Sequence, residues 1–156
     1  MNTNEKLTEV LNDLIRVNND RTEGYVNASD AAKSIDIDLR ATFNKMADQS
    51  RKFVAELTTE VIKLGGEPAT GTTASGKIHR AWMDVKATFS DKDRQTILSS
   101  CESGEDAAQK AYKSALASDA EISADTRKLI TDQQSSLKTS HDLIKKYRDV
   151  QKAVSA

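Results

Sequence analysis

The chain has 156 residues, 30% of them charged and 37% hydrophobic, and its formal net charge is −1. That length suffices for one domain with a real core, read here as residues 1–156, and the cancelled charge argues against nucleic acid or an anionic membrane surface as the main partner. A lone cysteine leaves no intrachain disulfide, and without an apolar run of about 18 residues nothing is expected to span a membrane.

The opening residues Met1–Val10 are polar and lack an apolar signal core, so the cytoplasm is the expected address. One proline and six glycines, with few β-branched runs, predict an all-α chain. The first predicted helix runs from about Asn4 to Ala32. Its apolar stripe is Leu7, Val10, Leu11, Leu14, Tyr25, Ala28 and Ala32, at helical spacing. Asn18 and Arg21 occupy stripe positions, whereas Asp20 and Glu23 point away from a straight stripe. Ser34-Ile35-Asp36 reads as a tight connection with Asp36 as N-cap.

The second predicted helix covers about Ile37 to Leu64, with Leu39, Phe43, Met46, Phe53, Leu57, Val61 and Leu64 on one face. Ser50 lies inside that face and Gln49 at its edge. Gly65-Gly66 is a helix-ending signal. Glu67 to Ser75, around Pro68, reads as a loop. It is no phosphate cradle, because Gly76-Lys77-Ile78 lacks the preceding strand and the Gly-Lys-Ser/Thr ending. A short helix is predicted from about Lys77 to Phe89, presenting Ile78, Trp82, Val85 and Phe89.

Ser90-Asp91-Lys92-Asp93 resembles a capping box and opens a helix to about Ser118. Its stripe contains Ile97, Leu98, Cys101, Ala108 and Tyr112, and Glu105 falls on the same face. A carboxylate there must be paired, protonated or metal-bound, since a lone buried charge is very costly. Gly104, mid-helix, costs about 1 kcal/mol against alanine and permits either close packing of a neighbouring helix or a local bulge. Ser123 caps the last predicted helix, which reaches about Ala153. Its stripe, Ile130, Leu137 and Ile144, is interrupted by Gln133, Ser140, His141 and Arg148.

Each long predicted helix comes to about 27–31 residues, roughly 40–46 Å. Four matched helices, two short links and one long link predict a ferritin-like four-helix bundle. In it the second and third long helices run parallel, and the crossover between them carries the short helix.

The segments Asn18-Asn19-Asp20, Gly24-Tyr25, Gly65-Gly66-Glu67-Pro68, His79-Arg80-Ala81-Trp82, Cys101-Glu102-Ser103-Gly104-Glu105-Asp106 and His141-Asp142 resemble a bacterial four-helix-bundle family. That family is domain of unknown function 2383, grouped with ferritin-like folds. The resemblance spans nearly the whole chain. It implies the crossover fold and brings no established activity or ligand set.

Classical di-iron bundles need a Glu-x-x-His motif from each of two helices. The chain has two histidines, His79 and His141, and Lys138 stands three before His141, so that ligand set is absent. Levelling the helices brings Glu105 near Arg21, Ser50 and Leu137. The expected result is a buried polar layer of Glu105, Arg21, Asn18, Gln49, Ser50, Gln133 and His141, centred on a Glu105–Arg21 ion pair that fixes register. Gly24 and Gly104 come out nearly level, which predicts close packing of their two helices.

No cofactor is expected. The leading reading is a non-catalytic helical module with a homo-oligomer or protein partner. The alternative is a divergent metal-binding protein in storage or stress protection, holding iron or another divalent metal through Glu105, Glu102, His141 and Glu23 or Asp20. An oxidoreductase with an unusual metal set is a third reading with no further support.

Overall fold

The computed structural model describes residues 2–32, 36–87 and 93–155, the side chain of Ser155 excepted. The all-helical expectation holds. Among the described residues there are five helices: α1 (Thr3–Ala31), α2 (Ile37–Lys63), α3 (Gly76–Lys86), α4 (Arg94–Leu116) and α5 (Ala124–Ser155). Phe89, Ser90 to Lys92, and Ser34-Ile35, for which a helix end, a cap and a turn were expected, lie outside the described residues.

The helix ends are set by local chemistry. The Asn2 side chain accepts the Glu5 amide at 2.8 Å to open α1. Asp93 itself is the cap of α4 and accepts the Thr96 amide at 2.7 Å, where the capping-box reading had placed it three residues into the helix. Ser123 accepts the Thr126 amide at 3.2 Å ahead of α5. Asp36 precedes α2 without a side-chain cap bond; its carboxylate meets Arg94 instead, at 3.0 Å. At the end of α2, Gly65 takes φ +78°. Its amide reaches the Ile62 carbonyl at 2.9 Å and the Gly66 amide reaches that of Val61 at 3.0 Å. This pair of bonds is a Schellman motif, and its left-handed residue favours glycine.

Polar bonds between helices fix their directions. Arg21 of α1 reaches Ser50 of α2 and Asn18 pairs with the same serine, while Tyr25 packs on Phe43; α1 and α2 are antiparallel. Asn18 meets Tyr112 and Arg21 meets Glu105, so α1 and α4 are antiparallel too. In α5, Gln133 reaches Tyr112 and Glu56, Ser140 reaches Gln49, and His141 reaches Asp106. Helix α5 therefore opposes both α2 and α4, and those two run parallel.

The segment from Gly65 to Lys86 climbs along α1. Asn12 donates to the Glu67 carbonyl at 3.0 Å, Asn19 to that of Gly71 at 2.9 Å, and Asn27 to that of Val85 at 3.2 Å. Helix α3 lies over both α1 and α4. The core between the long helices is filled by Leu11, Leu14, Phe43, Leu57, Leu98 and Ile130, none above 1% exposed. Burying each such side chain stabilises the fold by about 1.5–3 kcal/mol. No helix among the described residues is long and apolar enough to cross a membrane.

Candidate functional site

The centre of the protein is polar. Arg21 Nε donates to Glu105 Oε1 at 2.5 Å and Nη2 lies 3.4 Å from Oε2, with both side chains 0% exposed. Arg21 Nη1 donates to Ser50 Oγ at 2.9 Å and to the Met46 carbonyl at 3.1 Å. Ser50 donates to Asn18 Oδ1 at 2.9 Å, and Asn18 Nδ2 donates to the Tyr112 hydroxyl at 2.9 Å. Tyr112 donates in turn to Gln133 Oε1 at 2.7 Å, and Gln133 Nε2 to Glu56 Oε1 at 3.1 Å. One chain of hydrogen bonds thus joins α1, α2, α4 and α5. Apart from the half-buried Glu56, its members come from stripe positions where a helix would otherwise place apolar residues, so each polar group needs an internal partner.

Electrostatics follow from burial. Burial disfavours the Arg21 cation, but the charge and hydrogen bond of Glu105, together with Tyr25 and Tyr112, outweigh it and the guanidinium ends above its ordinary value. Burial pushes the Tyr112 hydroxyl up, and also the Cys101 thiol, with the Glu105 charge adding to the rise at Cys101. Tyr25 is held well above its ordinary value by burial first and Glu105 second. The Arg21 guanidinium sits 5.1 Å from the centre of its ring, within cation–π range.

Two residues expected in this layer lie elsewhere. Gln49 is half-buried and accepts from Ser140 Oγ at 3.1 Å, forming a separate link between α2 and α5. His141 stands outside the buried layer, in the outer groove between α4 and α5. Its contacts are Asp106 and Glu102 of α4 and its neighbour Asp142.

The two mid-helix glycines also have a different purpose from the one expected. A Cβ added to Gly24 would lie 2.8 Å from Trp82 Cε3, and one added to Gly104 would lie 2.9 Å from Trp82 Cη2. The indole of α3, 0% exposed, is therefore the body that occupies the space both glycines leave, rather than the facing helix. It packs edge-to-face with the Tyr25 ring, with centroids 5.9 Å apart. The Tyr25 hydroxyl and Trp82 Nε1 have no hydrogen-bond partner within the described residues.

The expected metal ligands separate into three places. Glu105 is committed to Arg21. Glu23 meets Lys86 at 3.1 Å. Asp20, 0% exposed, meets Lys86 at 2.6 Å and accepts from the Thr73 amide at 3.2 Å and from the Thr73 hydroxyl. It points away from the helix stripe as expected, yet the crossover segment covers it. Glu102 and His141 do come together, and Asp106 joins them; the three offer ligand atoms within 4.8 Å of one another. His141 Nε2 lies 2.6 Å from Asp106 Oδ1 and 4.0 Å from Glu102 Oε1, while Nδ1 lies 3.0 Å from Asp142 Oδ1. Arg148 bonds the other oxygen of Glu102. Asp106 was not among the expected ligands, although it follows Glu102 by one helical turn, the spacing that places two side chains on one face. His79 Nδ1 sits 3.3 Å from the Thr73 hydroxyl.

Taken together, an all-helical frame and a closed internal ion pair define an α-helical protein with a polar centre. The family described as Domain of unknown function (DUF2383) matches residues 6–118, and the chain belongs to it. The match takes in α1 to α4 and stops before α5, so His141-Asp142 lie beyond it. No curated protein matches the chain.

Proposed function

We propose that the chain is a non-catalytic helical module of one domain, with ferritin-like four-helix-bundle topology, that acts through self-association or a protein partner in the cytoplasm. The observation that carries this reading is the Arg21–Glu105 pair. In carboxylate-metal bundles, inward carboxylates from the helices face a metal; here the inward carboxylate of α4 faces a guanidinium at 2.5 Å. The surrounding hydroxyls and amides extend that pair across all four long helices, an arrangement suited to holding register.

The parallel α2 and α4 with a crossover along α1 support the ferritin-like topology. The alternative, a divergent metal-binding protein in storage or stress protection with Glu105 as a central ligand, would require Glu105 to leave Arg21. The test has two parts. Sedimentation across a concentration series reads self-association; a monomer throughout leaves the protein-partner arm. Elemental analysis of protein purified without added metal is expected to show no iron, manganese or zinc whose retention depends on Glu105. One or two equivalents lost in Glu105→Gln would overturn the reading in favour of the alternative.

A further inference from the structure

We propose that Glu102, Asp106 and His141 form a site for one divalent transition cation of the zinc class, bridging α4 and α5 on the outside of the polar layer. The inference is independent of the non-catalytic reading, because none of the three residues belongs to the Arg21–Glu105 network.

The donor set is one imidazole nitrogen and two carboxylate oxygens, a combination zinc takes readily with water as the fourth ligand. Glu102 and Asp106 are one turn apart on α4, and His141 comes from the antiparallel α5. A bound ion would therefore tie two helices together. Tetrahedral zinc with bonds of about 2.0–2.2 Å separates its ligand atoms by about 3.3–3.5 Å. The present separations straddle that value: 2.6 Å from His141 Nε2 to Asp106 and 4.0 Å from Nε2 to Glu102. These two must change by less than about 1 Å, and Glu102 and Asp106 offer atoms within 4.8 Å of one another; side-chain torsions on two helices can supply such shifts.

The outer contacts orient the ligands. Asp142 lies 3.0 Å from His141 Nδ1, where it would accept the N–H in the metal-bound form, and Nε2 faces Glu102 and Asp106. A carboxylate on the far nitrogen of a metal-bound histidine is a common support of such sites. Lys138 holds Asp142 at 2.9 Å and 3.1 Å. Arg148 occupies Glu102 Oε2, which leaves Oε1 pointing toward His141. Asp106 is half exposed, its side chain 52% accessible, so water can reach the fourth position. Lys77 and Lys110 line the neighbouring groove beside Asp106. A nitrogen donor and only two carboxylates suit zinc, cobalt or nickel better than calcium or magnesium, which prefer all-oxygen shells.

The test is a titration of chelator-treated full-length protein with zinc chloride against a chromogenic chelator, repeated with cobalt chloride to read the visible spectrum. Wild-type protein is expected to bind one equivalent and to give the intense visible bands of four-coordinate cobalt. His141→Ala and Asp106→Asn should each weaken zinc binding at least about tenfold, and Asp142→Asn, which removes only the support, by about 10- to 100-fold. His79→Ala should bind as wild type does. Zinc should raise the melting temperature of the wild type and not that of His141→Ala; all four variants change residues with solvent access, and circular dichroism checks their folding. No stoichiometric zinc, or binding unchanged in both His141→Ala and Asp106→Asn, would overturn the proposal. Binding lost only in Glu105→Gln would overturn it too, and would count against the non-catalytic reading as well.

Discussion

Arg21 and Glu105, 84 residues apart in the chain, meet at 2.5 Å with neither side chain exposed to solvent. The pair is positioned by α1 and α4 and braced from α2 by Ser50 and the Met46 carbonyl. Because both side chains are fully buried, neither can be removed alone without stranding the other.

That relationship sets the first prediction. Arg21→Met and Glu105→Leu should each lower stability by about 3–5 kcal/mol, the cost of an uncompensated buried charge. The double variant should cost far less than the summed losses and come close to neutral. Urea unfolding of the four proteins reads the coupling. Additive losses would show that the two side chains do not support one another.

Trp82 and Gly104 set the second. An alanine at position 104 gains about 1 kcal/mol of helix propensity, but its methyl would press on a buried indole at 2.9 Å. Overpacking of this kind costs about 1–3 kcal/mol, so Gly104→Ala should be destabilising or close to neutral in the wild type. In a Trp82→Leu background the same change should become stabilising by up to about 1 kcal/mol. The change of sign is the readout; a Gly104→Ala effect that is equal in both backgrounds would mean the indole does not occupy that space.

Asp20 ties the crossover to α1. Asp20→Ala removes the partner of Lys86 and of the Thr73 amide and hydroxyl. Bonds to a charged acceptor contribute about 1.5–3 kcal/mol, and a loss in that range is expected. Because the loss is local, trypsin should cut at Lys77 or Lys86 faster than in the wild type, with the long helices cleaved later. An unaltered cleavage pattern would argue that other contacts hold the crossover in place.

His141 carries the pH prediction, for metal-free protein. Burial works to lower its pKa, but Asp142 and Asp106 outweigh burial and hold it above the ordinary 6.5. A raised histidine stabilises the folded state fully below its unfolded value and loses that contribution as pH rises through the folded one. The stability difference between wild type and His141→Gln should therefore be largest near about pH 5.5 and shrink toward about pH 8.5. Unfolding curves at the two pH values, in chelator, provide the comparison. A difference that grows with pH would contradict the carboxylate contacts as the cause.

Much of the helical frame was legible in the residues themselves. Apolar positions recurring at helical spacing mark the faces of α1, α2, α4 and α5, and Gly65-Gly66 marks where α2 stops. Glu105 stands on such a face, and so does Arg21, which makes an internal pairing readable from the sequence. The reason is that periodicity reports which side of a helix leaves water, and a charge on that side has few permitted fates.

What the tertiary structure alone decided concerns the other sides of the helices and the angle of approach. Asp20 lies off the stripe of α1 and is still buried, because the path of the crossover over α1 is not encoded in the spacing of α1. Gly24 and Gly104 signal a close approach, but whether a helix or the Trp82 ring makes it depends on where α3 settles. His141 was expected in the central layer, yet the packing of α5 on α4 brings it to Glu102 and Asp106. A stripe fixes each helix's inward face; it takes the packed neighbours to determine what covers the remaining faces, and it is there that Asp106, His141 and Glu102 converge.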